Sequence, residues 1–188
     1  GPRMLDPIFR IVEETEIPIG QFLPTHVTRT ESLLNQAIEF ARRGGNIDFT
    51  VRGKDLSFPL TTAKALRMAA EAHVPFDRIT LSSDSNGSMP VFDKEGRMVR
   101  LAVGDIRNLH LEVKDLVREG FPLEDVLGMV TSNPARRAGI FRTKGSLDEG
   151  KDADLLILSP DLKIETVVAK GQIMVEKGEI RIKGTVEE

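Results

Sequence analysis

Between residue 5 and about residue 140, short apolar runs alternate with stretches of helical period, and few architectures accept that order. "LDPIFRIVEETEIP" places Ile8, Ile11 and Val12 on one face and stops before Pro18, which predicts a helix. "GQFLPTH" then predicts a short strand ending at His26. In "RTESLLNQAIEFARRGG", Thr30 is an N-cap and Glu31 lies in the first turn, where the helix dipole favours a carboxylate. Apolar residues at 33, 34, 37, 38 and 41 form one face, and Gly44-Gly45 ends the helix. "NIDFTV" alternates as a strand, "LTTAKALRMAAEAHVP" predicts a helix with an Ala-rich face, and "DRITLSSD" predicts a third strand. Strand and helix thus recur about every 30 residues, the length of a crossover unit, which argues for parallel strands wrapped by helices. "LAVGDIRNLHLEVKDLVREG" predicts a further helix turning Val103, Ile106, Val113 and Val117 inward.

"FPLEDVLGMVTSNPARRAGI" predicts two short helices, the second beginning near Ser132 with Pro134 in its first turn. After Gly145 the period changes. "ADLLIL", "TVVAKG", "QIMVEKG" and "EIRI" are β-rich runs separated by Ser-Pro-Asp and two Lys-Gly turns, the pattern of an antiparallel appendage. The expected division is a segment 1–143 of strand–helix units and a segment 144–188 of antiparallel strands.

The net charge of −3 over 188 residues, with no Lys/Arg run, gives no electrostatic footprint for nucleic acid or an anionic membrane. No apolar stretch reaches the roughly 20 residues of a spanning helix, and no secretory leader is recognisable. The absence of cysteine removes disulfides, thiolate chemistry and Cys-ligated zinc, and fits a cytoplasmic protein. Any metal must therefore use carboxylates and the histidines His26, His73 and His110.

In a (β/α) barrel, chemistry collects at the C-terminal ends of the strands. Two predicted strands end on suitable side chains, His26 after "FLPT" and Asp84 after "ITLSS". Spacing alone leaves two readings open. Asp, Ser, Asn and Gly are the commonest turn formers, so "DSNGS" also reads as a plain surface turn. His73 and His110 fall within predicted helices, where a structural histidine is the ordinary case. The DSNGS loop has no helix N-terminus in a phosphate-cradling arrangement.

"TSNPARRAGI" followed by "KGSLDEGKDADLLIL" resembles the segment where amidohydrolases close their barrel and re-enter a small β-sandwich. "FLPTHVTR", "EFARRGGNIDFT", "LSSDSNGSMPVFDKEGR" and "VVAKGQIMVEKGEIRIKGTVE" resemble, within that superfamily, the isoaspartyl (β-aspartyl) dipeptidases. The resemblance covers essentially the whole chain but only about half of a family member. It implies the C-terminal part of a (β/α)8 metal-dependent hydrolase barrel, strands six to eight with their helices, followed by strands of a small β-sandwich. It also implies two zinc ions in the complete enzyme, held by a His-x-His pair on strand one, a carboxylated lysine on strand four, histidines on strands five and six, and an aspartate on strand eight.

Carried over by residue, His26 and Asp84 are metal ligands, Asp84 is also the catalytic base, and Arg29 and Ser88 bind the substrate. Arg29 would be a buried fork on a substrate carboxylate, and Gly87 would let the loop bend Ser88 over the site. The implied reaction is hydrolysis of the β-linked amide of a dipeptide by a cytoplasmic homo-oligomer. The His-x-His pair, the strand-four lysine and the strand-five histidine have no counterpart in this chain, which reads as starting just after strand five. Alone it is expected to be inactive. The loop "RGKDLSF" reads as longer than in some relatives. The competing readings are a noncatalytic fragment or assembly subunit, and another amidohydrolase such as a dihydropyrimidinase or deacetylase.

Overall fold

The computed structural model describes residues 3–51, 60–93, 95 and 97–183; the loop 52–58 lies outside the described residues. The chain divides into two compact units, Gly1–Asn133 and Pro134–Glu188, a division about ten residues earlier than the change of period in the sequence. Among the described residues, no helix is long and apolar enough to cross a membrane.

The first unit opens with helix α1 (Asp6–Glu14). Its buried side chain is Phe9, whereas Ile11 is exposed, so the face read from Ile8, Ile11 and Val12 is rotated. An aromatic ring sets the contact: Phe9 meets Phe40 edge-on at 5.6 Å, with the Arg43 guanidinium 4.7 Å over it. Helix α2 (Glu31–Arg42) starts where the Thr30 hydroxyl accepts from the Leu33 N–H, and buries Leu33, Leu34, Ala37, Ile38, Phe40 and Ala41. Strand β1 (Ile47–Thr50), helix α3 (Thr62–Glu71) and strand β2 (Ile79–Ser82) follow, and β1 pairs with β2 in parallel, Ile47 opposite Ile79 and Thr50 opposite Ser82.

All four residues of β1 are buried, as in a parallel strand covered on both faces. Ile47, Phe49, Val51, Ile79 and Leu81 contribute to the core with Leu34, Leu66, Leu116 and Met129. The opposite face carries Asp48, Thr50, Thr80 and Ser82. The expected strand before His26 is not a ladder strand. A 3₁₀ turn, Ile19–Gln21, leads into extended chain, and the Pro24 carbonyl accepts the Asp48 N–H at 3.0 Å. Pro24 has no N–H with which to extend a ladder.

After β2 the chain makes a hairpin of strands β3 (Ser88–Phe92) and β4 (Met98–Val103), then helix α4 (Arg107–Arg118). The helix expected from residue 101 thus begins six residues later. Val103 and Ile106 are 68% and 67% exposed rather than inward, while Val113 and Leu116 carry the helix's buried face. Helix α5 (Leu123–Val130) and the short helix α6 (Ser132–Arg137) come next. Asn133 donates to the carbonyls of Phe76 and Ile79, at 2.9 and 2.8 Å, and so fixes the entry to β2. The asparagine of "TSNPA" therefore serves the architecture.

Helices α2, α3 and α4 end alike. In each, the residue in left-handed conformation donates to the carbonyl three back, and the next N–H reaches five back. Glycine fills that place at Gly44 and Gly120, but after α3 it is His73, at φ 59°. His73 is thus a C-terminal cap rather than a helix residue, whereas His110 does lie in α4. A left-handed L-residue costs about 1–2 kcal/mol, much of which glycine avoids. His73→Gly is expected to stabilise the unit by about 1 kcal/mol, visible as a higher melting temperature; an unchanged or lower one would refute this account.

The second unit is an antiparallel meander of β5 (Leu155–Leu158), β6 (Ile164–Ala169), β7 (Gln172–Glu176) and β8 (Glu179–Ile180). Both Lys-Gly pairs have positive φ at both positions, 49° and 79° at Lys170-Gly171, 53° and 78° at Lys177-Gly178. Such two-residue loops match the twist of the strands they join. Lys144 bridges Asp152 and Asp154; those hydrogen bonds, Asp152 first, raise the Lys144 pKa, and Lys144 in turn lowers that of Asp154. The "KG…DAD" pattern is therefore an ion-paired knot at the start of the sheet. Leu156, Ile157, Ile164, Ile173 and Ile180 are exposed, so the sheet keeps apolar surface uncovered.

Candidate functional site

His26 and Asp84 lie 58 residues apart in sequence, yet His26 Nε2 is 3.9 Å from Asp84 Oδ2. The folding reason is local. The extended segment before His26 runs beside β1, and Asp84 follows β2 by two residues, so both emerge at the same end of adjacent chain segments. Val27, fully buried, pins the turn that begins at His26, which the Arg29 N–H closes on the His26 carbonyl at 3.2 Å.

Both residues have left-handed backbones, φ 57° at His26 and 49° at Asp84. Strained conformations of this kind cost of order 1–3 kcal/mol each and collect where a side chain must be aimed. The two side chains are 26% and 37% exposed, open to a small ligand while anchored from behind. The Nδ1 atom of His26 is hydrogen-bonded to the Thr50 hydroxyl at 2.9 Å.

Asp84 is held by a turn whose Gly87 N–H donates to the Asp84 carbonyl at 2.9 Å. Gly87 has no positive φ; what it supplies is room, since a Cβ there would stand 2.6 Å from Asp84 Oδ1 and 2.8 Å from its Cγ. The expected bend is thus a close approach. The Asn86 N–H donates to Gly104 and the Gly104 N–H to Gly87, at 3.0 and 2.9 Å, so the β3–β4 hairpin is rooted in this turn. Ser88 opens β3 opposite Val103 and is exposed. Arg29 is exposed as well, not buried as the resemblance implied.

The donor set suits a metal. One imidazole nitrogen and one carboxylate oxygen, each able to bond at about 2.0–2.2 Å, lie about half an ångström farther apart than two ligands of one tetrahedral zinc. Among the described residues, no group of three or more His, Asp or Glu could hold an ion.

Asp48 does not stand out in the sequence. It is 5% exposed in β1, and the hydroxyls of Thr25, Thr80 and Ser82 each donate to its carboxylate at 2.7 Å. The signal that could have found it is hydroxyls at alternate positions, Thr50 beside Asp48 and Ser82 beside Thr80, on one face of two neighbouring strands.

The amidohydrolase family model matches residues 25–174, and the chain belongs to that family. A solved β-aspartyl dipeptidase from Fervidobacterium islandicum AW-1, in complex with β-Asp-Leu, superposes with a TM-score of 0.86 at 36% identity over 98% of this chain and 47% of its own. A second structure of a β-aspartyl dipeptidase from that organism gives 0.80 at 33%, covering 98% and 46%. An L-hydantoinase of Paenarthrobacter aurescens is 38% identical over 100 residues, 50% of this chain and 21% of its own. The chain thus spans about half the length of the dipeptidases and less of the hydantoinase.

Proposed function

We propose that the chain is the C-terminal part of a (β/α)8 barrel with strands of a small β-sandwich, and that the complete enzyme cleaves the β-linked amide of isoaspartyl dipeptides. The approach of His26 to Asp84 carries this reading. The likeness to a dipeptidase bound to β-Asp-Leu supports the substrate, and the uncovered apolar sheet supports the sandwich. His26 and Asp84 would hold zinc, two ions being expected in the complete cytoplasmic homo-oligomer. The metal, when bound, would polarise the scissile carbonyl.

Asp84 receives the proton of the attacking water and passes it to the departing amine, so that the amine leaves neutral. Arg29 pairs a substrate carboxylate through its planar fork, and Ser88, at the head of β3, contacts the aspartyl end. Because Arg29 is exposed, solvent screens that pair, and its contribution is smaller than a buried fork would give.

The test is kcat/KM of the full-length enzyme on β-Asp-Leu beside α-Asp-Leu, a hydantoin and an N-acetylated sugar phosphate. Preference for the β-linked dipeptide is expected; preference for either of the last two would reassign the substrate. Arg29→Met should raise KM for β-Asp-Leu by roughly tenfold or more with kcat little changed, because the pair it loses is remote from the bond being cut. A wild-type KM would remove Arg29 from the substrate site.

A further inference from the structure

The hydrogen bonds behind His26 form a chain with a defined direction. Asp48, buried at 5% exposure, receives Thr80 at Oδ1 and both Ser82 and Thr25 at Oδ2, each at 2.7 Å. Thr25 Oγ1 lies 3.3 Å from Thr50 Oγ1, and Thr50 Oγ1 lies 2.9 Å from His26 Nδ1. A carboxylate offers lone pairs and no proton, and a hydroxyl has one proton to give. Thr25 spends its proton on Asp48, so the bond between the threonines has Thr50 as donor. Thr50 then has only lone pairs left for His26, and Nδ1 must carry the hydrogen. The opposite arrangement, with Thr50 donating to Nδ1, would forgo the bond between the threonines. Thr50 is 4% exposed, so water does not readily replace that bond on its side.

We infer that Asp48 is a positioning residue which, through Thr25 and Thr50, fixes His26 in the Nδ1–H tautomer and places the ring's lone pair on Nε2, the atom facing Asp84. This deepens the metal-ligand reading of His26 and rests on it for its use, because only a bare nitrogen can bond a metal. The arrangement itself belongs to the protein and exists before any metal binds. The hydrogen bonds that lead from Asp48 to His26 pass through the two threonines. Thr80 and Ser82 hold the carboxylate from β2, which keeps its orientation independent of the threonines on the other side.

The experiment is ring ¹⁵N NMR on the full-length, metal-free protein labelled at histidine, with the His26 signals identified by their loss in His26→Gln. The native protein should show His26 as the Nδ1–H tautomer. Thr25→Val leaves the Thr50–His26 contact in place but cuts the chain beyond it; the tautomers should then mix, and Thr25→Ser should restore the single form. A native His26 in the Nε2–H form, or a single unchanged tautomer in Thr25→Val, would overturn the inference and leave Asp48 as a cross-link between strands. Since the tautomer is read without metal or substrate, its outcome is independent of whether zinc is the ion or a dipeptide is cleaved.

Discussion

Asp84→Asn in the complete enzyme is expected to lower kcat by roughly 10²–10⁴-fold, the usual worth of positioned acid–base catalysis, with metal content largely retained. Asparagine keeps the size and one oxygen of the side chain, so a ligand contact can survive. It cannot take a proton from water at neutral pH. The substitution therefore separates the two roles that one carboxylate, 3.9 Å from His26 Nε2, would combine. Steady-state kinetics on β-Asp-Leu beside metal analysis of the same sample reads both. Normal kcat with metal bound would leave Asp84 as a ligand only, and the proton would have to go elsewhere.

Gly87→Ala should be nearly as damaging without replacing a reacting group. The added Cβ would lie 2.6 Å from Asp84 Oδ1, 2.8 Å from Cγ and 2.9 Å from the Asp84 carbonyl oxygen. The carboxylate can rotate away, but the backbone oxygen cannot do so without opening the turn. Either response moves Asp84, and misplacement by about an ångström costs on the order of 10²-fold. Activity should fall by that amount while the melting temperature changes little, because the turn lies outside the core cluster. Activity within about threefold of the native value would show that the loop absorbs the methyl without shifting the carboxylate.

How far the sequence reveals these features depends on whether the physics is local. Helix α2 is legible because its cap, first-turn carboxylate and glycine stop are chemical statements within 16 residues, Thr30 to Gly45. The two Lys-Gly turns are legible for the same reason. The β3–β4 hairpin is hidden because Val103, Ile106, Val113 and Val117 fit a helical period by accident, and nothing local says that Val103 belongs to an exposed strand. Asp48 escapes because alternation in "NIDFTV" assigns it to the outer face of a strand. That face is buried, and the Asp48 carboxylate is met there by hydroxyls from two other segments. The aspartate end of "ITLSSD" and the histidine end of "FLPTH" are visible, but their meeting is a product of register, which the sequence does not state.

The crossing at Asn86, Gly87 and Gly104 has an evolutionary consequence. The chain leaves the site and returns to it through the same pair of backbone hydrogen bonds, so the arm beyond works like an appendage on a fixed socket. Inheritance can lengthen, trim or repaint residues 88–103 while the bonds at the socket hold Asp84 where it is. Variation in the arm and constancy of the Asp84 turn can thereby fall to different residues of one short stretch, and a lineage can explore the first without endangering the second.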